Sequence, residues 1–212
     1  MYVPPHFNED RVDVLHDAIR QARLGTLVTI GEGGIEASHV PMLVDPEPRP
    51  FGTLLGHVAR ANPQWRTAAT DAEALAIFLG PDGYVSPSWY ETKRESGKVV
   101  PTWNYVAVHA TGTLKFHEDP EWLLALVTKL TQTHEAPRAE PWKVSDAPKD
   151  YIAGMLQAIV GFELPIARLA GKWKMSQNRS PPDRAGVIEG LAREGGADEA
   201  RVAEIMAAAR KP

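Results

Sequence analysis

The sequence has no cysteine, so disulfides and thiolate metal ligands are excluded at the outset. No apolar run approaches the roughly 20 residues of a membrane-spanning helix. The start, Met1-Tyr-Val-Pro-Pro-His-Phe-Asn-Glu-Asp, lacks the charged and apolar regions of a secretory signal. A cytoplasmic chain with no membrane partner is the expectation. Basic excess is missing too: 23 Lys and Arg stand against 27 Asp and Glu, a formal net charge of −4. That argues against binding nucleic acid through overall charge, though it leaves a local basic patch open. Internal repeats and low-complexity segments are also absent. What remains is 212 residues, 43% of them hydrophobic, enough to bury a substantial core.

Aromatic residues are only 8% of the chain, yet Tyr84, Trp89, Tyr90, Trp103 and Tyr105 all lie within residues 78–112. An apolar run, Ala74 to Leu79, leads in, and a β-rich run, Val99 to Phe116, leads out. Between them the sequence predicts a long, ordered aromatic loop, because disordered segments are poor in aromatics. Flat rings beside Ser, Thr and Asn suit a flat ligand with polar edges. They equally suit a plug for the end of a β-barrel.

In chain order, Asn8 reads as an N-cap with Glu9 and Asp10 in the first helical turn. Val12, Leu15, Ile19 and Ala22 give that helix one apolar face, and Gly25 ends it. Thr26–Ile30 and Ile35–Val44 flank Gly31-Glu-Gly-Gly34 and read as a hairpin. A phosphate loop is disfavoured there, because a strand rather than a helix follows. Phe51–Val58 is a third strand. Asn62-Pro63 signals a helix start, so Arg60 and His57 lie where a strand gives way to a helix and an anion is favoured. Ala74–Leu79 and Val99–Phe116 are the fourth and fifth strands. Asp119-Pro120 opens a helix to about Thr133 with Leu123, Leu126, Val127 and Leu130 apolar. A loop over 135–149, a helix over 151–158 and a sixth strand over 160–169 follow. The prediction is mainly β with peripheral helices, α+β, as a six-stranded barrel. Strands not each followed by a helix fit a parallel doubly wound sheet poorly.

His39, His57 and His109 lie on or beside strands, widely spaced. With no His-Glu-x-x-His and no tight His/Asp cluster, no metal site is expected. Ser86 and Ser88 lack a surrounding Gly-x-Ser-x-Gly. Lys172, Lys174, Arg179 and Arg184 form a local basic cluster around Trp173 and Gln177. It is either a solvated loop or a phosphate or carboxylate contact. The tail has the outline helix, Gly195-Gly196, helix. Its second helix begins Asp198-Glu199, where a DNA reader needs bases, and Val202, Ile205, Met206 and Ala209 form a packing stripe.

Five stretches, taken in order, resemble the FMN-binding negative transcriptional regulator family of the PaiB type, within the pyridoxamine-oxidase-like FMN-binding split-barrel superfamily. They are Met1-Tyr-Val-Pro-Pro-His-Phe7, Gly56-His-Val-Ala-Arg-Ala-Asn-Pro-Gln-Trp65, Tyr84-Val-Ser-Pro-Ser-Trp-Tyr90, Val100-Pro-Thr-Trp-Asn-Tyr105 and Lys172-Trp-Lys-Met-Ser-Gln-Asn-Arg179. The resemblance runs to about residue 191. It implies one split-barrel domain over 1–191, with 192–212 as a helical tail packed on it. It further implies FMN as cofactor, a homodimer with flavins at its interface, and a negative regulator responsive to redox state or a metabolite. Carried over by residue, it points to Ser38 and His39, to His57, Arg60 and Asn62, and to Trp103 and Asn104 beside the flavin. Lys172, Lys174, Ser176 and Gln177 close the set. An FMN-dependent oxidoreductase acting on a small substrate is the alternative class, and a haem-binding or haem-degrading split barrel a third. Neither charge nor tail supports direct DNA contact.

Overall fold

A computed structural model describes residues 1–69 and 71–208. The fold is mainly β with peripheral helices, as predicted, but the described residues hold nine strands where the sequence suggests six. They are β1 (Asn8–Glu9), β2 (Leu24–Gly31), β3 (Gly34–Asp45), β4 (Thr53–Ala59), β5 (Glu73–Val85), β6 (Thr102–Thr113), β7 (Lys115–His117), β8 (Ile159–Pro165) and β9 (Arg168–Lys174). Hydrogen-bonded neighbours follow the order β1-β9-β6-β5-β2-β3-β4-β8-β7. The helices are α1 (Val12–Ala22), α2 (Gln64–Thr67), α3 (Glu91–Glu95), α4 (Pro120–Glu135), α5 (Lys149–Gln157), α6 (Pro181–Glu194) and α7 (Ala197–Ala208). The chain forms two compact units. The described residues of Met1–Arg11, Leu79–Val108 and Ala170–Pro212 make the first, and those of Val12–Phe78 and His109–Leu169 the second.

In the second unit β2 and β3 form the expected hairpin, paired from Leu24↔Pro41 to Gly31↔Gly34. β3 continues onto β4, β4 onto β8, and β8 onto β7, all antiparallel. Inward positions alternate along β2, where Leu27 and Thr29 are buried. α1 does not start at Asn8. That residue and Glu9 pair with Lys172 and Gly171 as β1, which takes their backbone out of helical geometry. The helix runs from Val12, with Leu15, His16 and Ile19 buried, and ends at Ala22. Arg23, at φ 59°, takes the left-handed position beyond the helix end that Gly25 was expected to mark. α4 fits its prediction: the Asp119 carboxylate accepts from the Trp122 N–H at 2.8 Å, and Leu123, Leu126 and Leu130 are buried.

The predicted sixth strand is two strands. Pro165 cannot donate to a ladder, and beyond it Ile166 N donates to Gly52 O at 2.9 Å and Ala167 N to Thr111 O at 2.8 Å.

In the first unit the aromatic loop is shorter than predicted, because β5 continues through Gly80-Pro-Asp-Gly83. Those glycines are packing devices. A Cβ at Gly80 would lie 2.9 Å from the Val106 Cβ, and one at Gly83 would lie 2.8 Å from a Leu191 methyl. Val85, Tyr90, Val106, Met175, Val187, Leu191, Val202, Ala203 and Met206 form one buried cluster. α7 is therefore a packed helix, with Val202 and Met206 buried as the tail stripe predicts and Ile205 packed beside them. Ala209, predicted in the same stripe, lies outside the described residues.

Candidate functional site

The residues singled out from sequence fall into two groups, one per unit. In the second unit, β3 carries Ser38 and His39, and β4 carries His57 opposite Gly161 of β8. Ser38 Oγ accepts from Asn62 Nδ2 at 2.8 Å, and Asn62 Oδ1 accepts from Gln64 N at 2.9 Å. Asn62 thus turns the chain into α2, whose N-cap is Pro63, one position beyond the residue the Asn-Pro pattern predicts. Gln64, missed from sequence, is buried and donates to Thr29 Oγ1 at 3.0 Å, with Leu27 O at 3.2 Å. His39 Nδ1 meets Thr26 Oγ1 at 3.0 Å. His57 Nδ1 is buried without a partner among the described residues, and burial holds its imidazole below the usual range.

Arg60 is already engaged. Its Nε donates to Gln157 O at 2.6 Å and one terminal nitrogen to Ile159 O at 3.2 Å, while the other pairs with Glu118. α2 is a single turn, too short for its dipole to make an anion site. The strand–helix argument for an anion at Arg60 therefore loses its helix, and Glu118 supplies the negative charge instead.

In the first unit, strand periodicity sorts the second group. Successive side chains of a strand point to opposite faces. Along β6, Trp103 is half exposed, Asn104 fully buried and Tyr105 partly exposed. Along neighbouring β9, Lys172 and Lys174 share a face. Their ammonium groups lie 5.2 and 6.0 Å from the Tyr105 ring centroid, within cation–π range. Lys172 Nζ donates to Tyr2 O at 3.1 Å, and Lys174 Nζ donates to Trp103 O at 2.6 Å and to the Thr102 hydroxyl. Among the described residues, neither ammonium has a carboxylate partner. Burial, then the charges of Lys172 and Arg179, hold Lys174 below the usual ammonium range. Tyr84 and Trp103 meet edge to face at 5.8 Å, both well exposed.

Asn104 and Ser176 lie together on the buried side. Ser176, at φ 57°, donates through Oγ to Asn104 Oδ1 at 3.1 Å, and Asn104 Nδ2 donates to Met206 Sδ at 3.2 Å. Gln177 closes the turn after β9, accepting from Met175 N at 2.7 Å and donating to Trp173 O at 2.5 Å. Tyr105 lay in the aromatic stretch suited to a flat ligand but, like Tyr2, was not among the individual site residues expected. The signal for Tyr105 was its two-residue offset from Trp103 inside one motif. Nothing local marks Tyr2. No group of three or more His, Cys, Asp or Glu side chains is arranged to hold a metal among the described residues.

Two ammonium groups without a carboxylate partner among the described residues, Lys172 buried and Lys174 partly exposed, flank the partly exposed Tyr105 ring on a strand face, an arrangement suited to a flat, anionic ligand. The donor set fits FMN, whose phosphate would meet Lys172 and Lys174 and whose ring system would meet aromatic surface. The comparisons bear on the cofactor rather than on these side chains. Residues 1–168 match the family model described as "Putative FMN-binding domain". "Protease synthase and sporulation protein PAI 2" of Bacillus subtilis (strain 168) is 33% identical, over 97% of this chain and 96% of that protein. An uncharacterized protein of Emericella nidulans is 36% identical over 90% of each. Among solved structures, the FAD and heme binding protein from Mycobacterium smegmatis has a similar fold, with TM-score 0.59 and 16% identity, covering 89% of this chain and 80% of that one. The chain belongs to the FMN-binding, PaiB-like family, and FMN is its cofactor.

Proposed function

We propose that this chain is a homodimeric flavoprotein of the PaiB type that holds FMN at its subunit interface and acts as a negative regulator responsive to redox state or a metabolite. The observation that carries the flavin assignment is the pair Lys172 and Lys174, two cations on one strand face with no carboxylate partner among the described residues. Bound FMN supplies redox chemistry; the chain's part is to bind and orient it. Lys172 and Lys174 hold the phosphate, Tyr105 and Trp103 offer aromatic surface, and Asn104 with Ser176 fixes the turn that places Lys174. Gln177 stiffens the same turn. Ser38, His39, His57, Arg60 and Asn62 remain candidate flavin residues of the second unit, where Glu118 orients Arg60. The regulatory part is supported by family membership and by a relative named for protease synthesis and sporulation. α7 offers no DNA-reading surface in this reading: Asp198 and Glu199 occupy its first turn and its apolar stripe is packed.

The flavin assignment is tested by titrating Lys174→Met with FMN and, separately, with riboflavin. Losing one charge-assisted bond costs about 1.5–3 kcal/mol, so FMN affinity should drop roughly ten- to hundredfold. Riboflavin, which has no phosphate, should bind wild type and variant alike. A folded variant with unchanged FMN affinity would remove Lys174 from the site.

A further inference from the structure

The second unit contains a cavity of about 580 Å³ that the flavin reading does not use. Its walls are the α4 face bearing Leu124, Thr128 and Thr131, the α5 face bearing Ile152 and Leu156, and Val144 and Ser145 of the short turn between them. Leu124, Thr128 and Thr131 recur at helical spacing, so one side of α4 lines the space. The volume lies in the range of small-molecule sites, and the walls combine aliphatic surface with a few hydroxyls, as such sites do.

Charge decides the class of ligand. Lys143 and Lys149 line the cavity, and no acidic side chain does. Among the described residues, neither ammonium has an ion-pair partner; all the lysine pairs found there belong to Lys115 and Lys129. Lys149 also opens α5, a nine-residue helix whose N-terminus has no side-chain cap. Its first N–H groups and the positive end of its dipole therefore add to the same positive potential. Asp150, the acid in that turn, is not among the lining residues.

We propose that this cavity is a second ligand site, for a small amphipathic anion: an apolar body against Leu124, Ile152 and Leu156, with a carboxylate at Lys143 and Lys149. In a flavin-dependent regulator such a site suits an effector. The inference itself rests on the cavity and its charges and stands apart from the flavin assignment.

The experiment uses the full FMN-loaded chain and isothermal titration with decanoate, with decanol as the neutral probe. Decanoate should bind at one site per chain and more tightly than decanol. The double variant Lys143→Gln, Lys149→Gln should weaken decanoate at least tenfold and leave decanol unchanged. A cavity-filling Thr128→Phe should abolish binding of both, and Ala153→Trp serves in its place if that variant fails to fold. FMN titration of each variant runs in parallel and should be unchanged, so failure of the flavin reading and of this one are told apart. The proposal is overturned if decanoate does not bind, if both probes bind equally, or if a folded cavity-filled variant binds as wild type does. Decanoate binding that appears only when light scattering shows dilution to monomers would mean that a second copy covers the cavity, and would also overturn it.

Discussion

Asp183 shows how much one carboxylate can organise. It is buried, accepts from Thr92 N at 2.9 Å and from the Thr92 hydroxyl at 2.8 Å, and so ties the first turn of α6 to the first turn of α3. Burial pushes its pKa up, but the Thr92 bonds, the Ser180 hydroxyl and the Arg179 charge outweigh it, and the group sits below the usual aspartate range. A depressed folded pKa gives stability that is present above the unfolded value, about 3.9. It is lost as pH falls through the lower folded value. Asp183→Asn should therefore destabilise by about 1–3 kcal/mol at pH 7, and its gap from wild type should narrow below about pH 4. Urea denaturation at several pH values measures this. A gap that is the same at pH 3 and pH 7 would show that the charge contributes nothing. Sequence pattern gave no sign of this residue, because its partner is 91 positions away. Tyr105 was different: alternation along a strand was enough to set it beside Trp103 and opposite Asn104.

Helices with local signals were legible, and strands with glycine and proline inside them were not. Asp119-Pro120 fixes α4 because the cap is a contact between neighbours in sequence, satisfying an N–H that the helix cannot. Asp119→Ala should lower stability by about 1 kcal/mol. Asp119→Ser should restore most of it, as the midpoint of urea unfolding would report; if Ala and Ser are equivalent, the cap is not what holds the helix start. By contrast, Gly80-Pro-Asp-Gly83 reads as the start of the aromatic loop, yet β5 passes straight through it. What decides there is how closely Val106 and Leu191 approach, and that distance is set by tertiary packing. Asn8 failed for a related reason: its capping preference lost to pairing with Lys172. The Asn62-Pro63 signal marks a helix start, but the N-cap is Pro63 and the helix is one turn long, so the anion argument built on a helix dipole fails while the residues themselves remain flavin candidates.

At the scale of the whole molecule, apolar surface remains uncovered on a single chain. Ile30 and Ile35 face one another across the β2–β3 hairpin and are 55% and 76% exposed. In the other unit Trp103 is 53% exposed and Tyr84 45%. Exposed apolar side chains scattered singly need no explanation; these two adjacent pairs on strand faces are the surfaces we assign to a partner. In the proposed homodimer that partner is the second chain, with flavin at the contact. Ligand and association are then linked, since a ligand that binds only the assembled state stabilises it by RT ln(1 + [L]/Kd). With FMN at ten times its dissociation constant, each site contributes about 1.4 kcal/mol. Two sites per dimer should lower the dimer dissociation constant about a hundredfold. Sedimentation across a dilution series, with and without FMN, reads this directly. The riboflavin form should tighten the dimer less, because Lys172 and Lys174 would keep their mutual repulsion without a phosphate between them. If chains bind one FMN each with the same dimer constant in both series, the flavin lies away from the interface and only its attachment to the lysine pair survives.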